Sequence, residues 1–437
     1  MQESTPQDDD SVSQVRVKRA HRDQVQWRDA SLDQLIPKDH RVRVIWAYVE
    51  SLNLQLLYQP IRAVEGGVGR DAVDPKILMA LWMWAIIEGI SSARHVARLC
   101  ERDLAYRWIC GEVGVNYHLL SDFRSRHRKF LDQLLTDTIA TLLHQNIVTL
   151  ERVAQDGMRV RANAGRASFR REKTLIECQR EAAEQVQKLR EESERDSGQD
   201  NPSDASQARR RAAAERAATE RAARIEEALK NLAELQQQKE QRKKGSAEEA
   251  RCSTTDPEAR KMKMANGGYN PAYNVQFVTD GGTRMIVSVD VTNNGSDGGQ
   301  MAPLHADVCD KYGKIPDHYL VDCGFPTNED VTAVEQRGSR VIAPMNHEEG
   351  ILKRGGDPHA RRARDTDEMF AFRQRMITDE SKAILKQRPS IAEFPNAECR
   401  NRGLQQFRVR GRDKVRTVSL WYAITYNFMR MMTLGVI

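Results

Sequence analysis

A strongly charged helical segment interrupts the middle of this chain and limits the folds that the chain can adopt. Residues 170–244 are dominated by Glu, Arg, Lys, Gln and Ala, and apolar residues recur three or four apart, as at Leu229 and Leu232. This spacing predicts two long helices. The stretch 197–206 contains glycine and proline, so it favours a break and an antiparallel hairpin. We therefore expect residues 170–250 to be inserted into a domain formed by the flanking sequence.

The flanking segments indicate a mixed α/β domain. A short β-like run covers 148–153, and two β-branched runs at 272–279 and 285–291 are joined by Asp-Gly-Gly-Thr, which is typical of a β-hairpin. Helix and strand patterns then alternate along the chain, with helices at 299–312 and 328–337 and strands at 319–321 and 340–343. Residues 147–169 and 251–437 together are expected to form a mixed sheet flanked by helices.

The N-terminal part is predicted to be all-α. Residues 31–146 contain an amphipathic segment at 40–57, and the apolar run 77–87 is too short to span a bilayer and indicates a buried helix. A later helix carries exposed basic residues, and this pattern resembles a helix-turn-helix module in which DNA would be contacted by Arg124, Arg126 and Arg128. A helical bundle with solvated arginines explains the same pattern and stays open.

Composition restricts the class of protein less sharply. The 437 residues are 40% hydrophobic, which is enough for two or three domains with their own cores, and the net charge of +6 is compatible with a polyanionic partner. Seven scattered cysteines predict free thiols in a reducing compartment. Residues 1–30 are polar and expected to be disordered, and their acidic run is unlike a signal peptide. We expect a cytoplasmic protein with no membrane partner.

Two common kinds of site are not supported by the residue spacing. His305, His318 and His347 lack the spacing of zinc ligands. The glycine pairs at 281–282 and 298–299 are not followed by the Lys-Ser/Thr pair of a phosphate-binding loop. The sequence therefore predicts neither a structural zinc ion nor ATP-driven chemistry.

Two aspartates have a context that is compatible with metal-dependent chemistry. Asp156 follows the β-like run near Val153 and precedes a glycine, and Asp322 follows a second β-like run directly. We therefore expect each to lie where a strand gives way to a loop. Taken alone, such an aspartate is more often a cap or a turn former than a metal ligand.

Several short motifs resemble those of bacterial insertion-sequence transposases of the DDE type, which have a ribonuclease-H-like core. The first two acidic motifs correspond to Gln-Asp-Gly-Met-Arg-Val-Arg-Ala-Asn-Ala at 155–164 and Val-Asp-Cys-Gly-Phe at 321–325. The likeness extends to Ser-Thr-Thr-Asp-Pro-Glu-Ala-Arg at 253–260, Pro-Ala-Tyr-Asn-Val-Gln at 271–276 and the Arg-Gly motifs at 402–411. The resemblance implies that Asp156 and Asp322 are the first two catalytic and metal-binding carboxylates.

The resemblance also implies a third carboxylate, a glutamate that opens a helix shortly before the Arg-Gly motif. Glu393 in Ile-Ala-Glu-Phe-Pro-Asn-Ala best matches that place, and Glu398 remains a competitor because Pro395 departs from the usual pattern. A loop-capping role is the better interpretation of Asp297, and the same caution applies to Asp256 and Asp290.

A second group of basic side chains follows Glu393. It is dense enough to neutralise several DNA phosphates, and its predicted DNA-binding members are Arg400, Arg402, Arg408, Arg410 and Arg412. A solvated basic loop is the alternative interpretation. The helical insertion could bind DNA, a second subunit, or neither.

Together, these features favour a DNA transposase that works by metal-dependent phosphoryl transfer. The resemblance implies two Mg²⁺ or Mn²⁺ ions at the carboxylates, double-stranded DNA with terminal inverted repeats and a target as partner, and a homodimer or larger assembly on DNA. A bacterial transposase would associate with the nucleoid when bound. Two rivals stay open: a decayed transposase that binds DNA without cutting it, and a structural protein that assembles through the helical insertion.

Overall fold

The computed structural model describes residues 29–63, 71–196, 205–242 and 247–437. The predicted polar N-terminus lies outside the described residues except for positions 29 and 30. Most of the glycine- and proline-containing break at 197–206 also lies outside them.

Among its described residues, the N-terminal part contains seven α-helices. Their bounds are α1 (Arg41–Ser51), α2 (Gln55–Tyr58), α3 (Pro75–Ile87), α4 (Ala93–Arg102), α5 (Leu104–Cys110), α6 (Tyr117–Arg126) and α7 (Arg128–His144). The Asp74 carboxylate accepts a hydrogen bond from the Lys76 amide at the start of α3, where Pro75 needs no amide partner. Most of α3 is buried, in agreement with its apolar sequence. The single helix expected at 40–57 is instead two helices.

The strands are β1 (Arg152–Arg161), β2 (Phe169–Arg170), β3 (Cys252–Ser253), β4 (Arg260–Lys263), β5 (Tyr269–Asp280), β6 (Ile286–Thr292), β7 (His318–Leu320) and β8 (Arg340–Ile342). The main sheet has the order β4-β5-β1-β7-β8, and β6 also pairs with β5. β1 is antiparallel to β5 and parallel to β7. The predicted mixed sheet is confirmed, as is the helical N-terminal part, and both are consistent with a ribonuclease-H-like core.

Two long helices lie between β2 and β3. They are α8 (Glu172–Asp196) and α9 (Ala205–Arg242). Gln236 Nε2 donates to Glu172 Oε2 at 2.9 Å, and Arg221 Nη1 donates to Gln185 Oε1 at 3.2 Å. The start of α8 thus contacts the end of α9, and residues further along α8 contact residues nearer the start of α9. The two helices are therefore antiparallel. A small apolar cluster joins them to β3; its buried members are Leu175, Ala228, Leu232, Ala250 and Cys252.

The remaining helices cover the sheet and connect it to the N-terminal part. They are α10 (Met301–Tyr312), α11 (Asn328–Gln336), α12 (Glu348–Leu352), α13 (Asp367–Arg375), α14 (Asp379–Leu385), α15 (Phe394–Asn401) and α16 (Arg412–Thr433). The buried helix α16 packs against α6, α7 and β6. Asn427 on α16 bonds both the amide and the carbonyl of Ile286. The N-terminal helices and the sheet therefore share one hydrophobic core.

Within the described ranges, the helices are either too short or too polar to cross a lipid bilayer.

Candidate active site

The register of two parallel strands brings Asp156 and Asp322 to the same level. Ala154 on β1 is opposite Leu320 on β7, and each aspartate lies two residues beyond that pair. β7 has already ended at Asp322, whereas β1 continues and Asp156 pairs with Phe277 of β5. The expectation that Asp156 ends its strand is therefore wrong, because antiparallel pairing with β5 extends β1 to Arg161.

Glu393 reaches the same place from the C-terminal part of the chain. It is the last residue of a π-helical turn, Pro389–Glu393, and directly precedes α15. Its side chain is 59% exposed. A π-helical turn within a helical region is uncommon and often occurs at functional sites. Glu393 thus lies at the start of a helix, as the sequence predicted for the third carboxylate.

The guanidinium group of Arg388 joins the three carboxylates. Arg388 Nη2 lies 3.5 Å from Asp156 Oδ1 and 4.0 Å from Asp322 Oδ1, and Nη1 lies 3.3 Å from Glu393 Oε1. The Arg388 side chain is only 9% exposed. We call Asp156, Asp322, Glu393 and Arg388 the carboxylate cluster. Residues that are far apart in sequence thus converge on one buried cation.

Arg388 was missed in the sequence because a single arginine before Pro389 resembles any solvated basic residue. It is five residues before Glu393, and this spacing does not bring two side chains together in a regular α-helix, so the sequence holds no local signal for the contact. The relation of Arg388 to Asp156 and Asp322 depends on contacts between distant parts of the chain.

The donor atoms of the carboxylate cluster suit a divalent cation. Its three acidic side chains present carboxylate oxygens, which are the ligands that Mg²⁺ and Mn²⁺ prefer. Asn396 Oδ1 is also buried beside Asp156 and has no hydrogen-bond partner among the described residues. No three acidic, His or Cys side chains within those residues are close enough to hold an ion as they stand. Arg388 lies between the carboxylates, so an incoming ion would compete with it for the same oxygens.

Asp156 is the most buried carboxylate of the cluster. Its side chain is 22% exposed, and Asn396 Nδ2 donates to its Oδ2 at 2.8 Å. Burial raises the pKa of Asp156 to about 6, although Arg388 and the bond from Asn396 act in the opposite direction. Arg388 and Asn396 therefore offset only part of the cost of burying the charged Asp156 carboxylate. A bound cation would offset the rest.

This burial predicts that Asp156→Asn stabilises the metal-free protein. A pKa raised from 3.8 to about 6 means that the folded state loses stability as pH rises through this window. The full cost at pH 8 is about 3 kcal/mol, and about half of it is present at pH 5. We expect urea unfolding in EDTA to show a larger gain for Asp156→Asn at pH 8 than at pH 5.

The exposed Asp39→Asn variant is the control for that measurement, because removing a surface charge changes stability little. An equal gain at both pH values, or a loss at pH 8, would contradict the assigned burial cost of Asp156.

The competing glutamate lies outside the carboxylate cluster. Glu398 Oε2 pairs with Arg402 Nη2 at 3.4 Å, on the same helical stretch. Asp290, another acidic residue considered in the sequence, pairs with Arg416 at 3.3 Å. Neither carboxylate contacts Arg388.

Asp297 belongs to a polar network that supports the strand carrying Asp156. Asp297 Oδ1 accepts hydrogen bonds from Asn274 Nδ2 at 2.6 Å and from Gln276 Nε2 at 2.9 Å. Gln276 Oε1 in turn accepts from Gln155 Nε2 at 2.9 Å. The three amide side chains are fully buried. Asp297 therefore helps to fix β1 beside Asp156 and does not join the carboxylate cluster.

The segment 253–260 supplies acidic caps to the long helix α16. Asp256 Oδ1 accepts from the Gly411 amide at 3.2 Å and from the Tyr273 hydroxyl at 2.7 Å. Glu258 Oε2 accepts from the Arg412 amide at 2.7 Å. Carboxylates stabilise a helix N-terminus by satisfying its free amides and by opposing its dipole. These two acidic residues thus hold the Arg-Gly turn in place.

The candidate DNA-binding arginines fall into different environments. Arg124 is 6% exposed, donates a hydrogen bond to the Ser91 carbonyl and lies over the Trp82 ring. Arg124 therefore does not reach the surface, because tertiary packing of α6 turns it inward, and we withdraw it from the DNA interface. Arg402 is largely structural too, since Nη1 donates to the Ile87 carbonyl at 2.8 Å.

The other candidates are at least partly exposed. Arg126 pairs with Asp122, Arg128 with Asp413 and Arg412 with Glu258. Three candidates are exposed and form no ion pair with a described carboxylate, namely Arg400, Arg408 and Arg410.

Two family models match parts of this chain. A family model described as a transposase domain (DUF772) matches residues 30–126, and one described as a transposase DDE domain matches residues 234–428. The second match includes Asp322 and Glu393, and Asp156 lies outside both matches. No curated protein or solved structure is significantly similar to the chain. With both family matches and the mixed sheet in agreement, the chain belongs to the DDE-type insertion-sequence transposases.

Proposed function

We propose that this transposase cleaves DNA at the ends of a transposable element and joins those ends to a target, using Asp156, Asp322 and Glu393. The observation that carries the proposal is the convergence of these three carboxylates on the buried cation Arg388. Separate acidic residues that meet at one point, far apart in sequence, are suited to binding cations for phosphoryl transfer.

We assign two Mg²⁺ or Mn²⁺ ions to the carboxylates of the cluster. When bound, such ions stabilise the charge on the attacking and leaving oxygens of phosphoryl transfer. Asp156, Asp322 and Glu393 would hold them, with Asn396 fixing the orientation of the Asp156 carboxylate through its hydrogen bond. Before the ions bind, Arg388 limits the repulsion between the three carboxylates.

DNA is the proposed partner, as terminal inverted repeats and as target. Positive charge for its phosphates is offered by Arg126, Arg128, Arg400, Arg408, Arg410 and Arg412. Arg402 instead holds the Arg-Gly turn against the N-terminal helices through its hydrogen bond to the Ile87 carbonyl. Such contacts position DNA without reading its sequence. A homodimer or larger assembly would bring two element ends together.

The decisive experiment is an assay of strand cleavage and joining. The native chain and Asp322→Asn are incubated with DNA that carries the ends of the element, with Mg²⁺, with Mn²⁺ or with EDTA. We expect the native chain to cut and join only with metal, and Asp322→Asn to bind the DNA without cutting it.

Binding by the native chain without cleavage under any metal condition would contradict the proposal and favour a decayed transposase. Stable assembly without DNA, together with no salt-dependent DNA affinity, would favour a structural protein instead.

A further inference from the structure

A group of basic side chains surrounds the point where the long helices α8 and α9 leave the sheet. Its members are Arg166, Arg170, Lys239, Arg251 and Lys261, which we call the basal cluster. Among the described residues, none of the five has a carboxylate within ion-pair distance. The basal cluster is therefore different from the paired charges that cover much of α8 and α9.

The fold brings these side chains together from three segments. Arg170 of β2 pairs with Cys252 of β3, and Arg251 directly precedes that strand. Lys261 Nζ lies 5.1 Å from the centre of the Phe169 ring. Burial lowers the pKa of Lys261, and the charges of Arg251 and Arg166 lower it further, which agrees with their proximity.

The basal cluster borders an open cleft of about 700 Å³ between α9 and the edge strand β4. Lys239, Arg251 and Lys261 line it, together with amide side chains such as Asn231 and Asn294. The lining contains five basic and three acidic side chains. One of the three acidic residues, Glu258, is already occupied by the Arg412 amide. The basic side chains of the lining outnumber the acidic ones by two, so the cleft carries a net positive charge and would stabilise a polyanion.

From this arrangement we infer that the basal cluster binds the phosphate backbone of double-stranded DNA, as a second contact surface beside the carboxylate cluster. The inference rests on the proposed function only in taking DNA as the ligand. Ammonium and guanidinium groups neutralise phosphates, and the amides can donate further hydrogen bonds to phosphate oxygens.

The strand register also gives the distance of this surface from the site of cleavage. Arg161 of β1 pairs with Ala272, which pairs with Arg260 next to Lys261. Arg161 is five residues beyond Asp156, which is about 17 Å along the strand, and β4 lies two strands to the side, about 10 Å away. The separation is therefore about 20 Å. Because each DNA strand rises 3.4 Å per nucleotide, we expect the contact to lie about six nucleotides from the scissile phosphate.

The test compares Arg251→Ala/Lys261→Ala with the native chain, and Arg209→Ala/Arg210→Ala is the control. The control pair is exposed on α9, away from the base of the insertion, and removes the same charge. Binding of a 40-base-pair duplex is measured by fluorescence anisotropy over a range of salt concentrations. We expect the slope of log affinity against log salt to fall by about 2 for the basal double variant and to stay unchanged for the control.

Hydroxyl-radical footprinting on duplexes carrying the element end gives a second readout. The basal double variant is expected to lose protection about six nucleotides from the cleavage position. Unfolding midpoints equal to that of the native chain verify that the variant is folded.

The outcomes separate this inference from the proposed function. An unchanged slope in a chain that still cleaves DNA overturns the inference alone, as does an equal fall in the control. If the slope falls as expected but the native chain does not cleave, the inference stands and the proposed chemistry fails. Loss of self-association with an unchanged DNA slope would assign the basal cluster to a protein contact and overturn the inference.

Discussion

Glu393→Gln is expected to reduce strand cleavage by about a thousandfold or more, whereas Glu398→Gln leaves most of the activity. The side chain of Glu393 contacts Arg388 within the carboxylate cluster, and that of Glu398 pairs with Arg402 outside it. Removing one carboxylate from a metal-binding set forfeits several kcal/mol of transition-state stabilisation, and each 1.36 kcal/mol is a factor of ten in rate. Single-turnover cleavage of labelled element ends measures the difference.

Both glutamine variants keep the size of the side chain, so each is the matched control for the other. DNA affinity of Glu393→Gln is expected to be at least that of the native chain, since the substitution removes a negative charge and no contact to phosphate. If Glu398→Gln abolishes cleavage and Glu393→Gln does not, the third carboxylate has been assigned to the wrong residue.

Gly157→Ala is expected to lower the free energy of unfolding by about 3 kcal/mol or more and to abolish cleavage. A Cβ atom at Gly157 would overlap with Asp297 Oδ1 and would lie 2.5 Å from Gln276 Nε2 and 2.8 Å from Asn274 Oδ1. These atoms belong to the polar network behind β1, so they cannot move without leaving buried groups unpaired. Any shift of β1 also displaces Asp156, which is the adjacent residue.

Urea unfolding of Gly157→Ala is compared with that of Gly165→Ala, where a Cβ atom would have no neighbour within 4 Å. Gly165→Ala is expected to be nearly neutral. Adding Asp297→Ala to Gly157→Ala removes the clashing oxygen, so the double variant should be less destabilised than the sum of the two single variants. Additive effects would contradict the proposed clash.

Much of the architecture could be predicted because it is encoded by local patterns. The β-branched runs and the Asp-Gly-Gly-Thr turn indicated the hairpin of β5 and β6, and the charged periodicity of residues 170–244 indicated the two long helices. Such patterns depend on which residues are three, four or two positions apart, and these relations are already present in the chain. Motifs around Asp156, Asp322 and Glu393 likewise singled out three acidic residues, whose catalytic role stays a prediction.

The partners of those residues could not be predicted, since they come from distant parts of the chain. Nothing near Arg388 in the sequence indicates that it lies between three carboxylates, and nothing near Asp256 indicates that it caps α16. Arg124 has the same local context as an exposed arginine, and only the packing of α6 against α3 and α16 buries it.

The sequence by itself therefore determined the type and order of most helices and strands, the family resemblance and the acidic residues to consider. Only the tertiary structure decided which charges meet, which are buried and which face solvent. The physical reason is that secondary structure follows from side chains a few positions apart, whereas the energy of a charge depends on burial and on partners brought close by the folded chain.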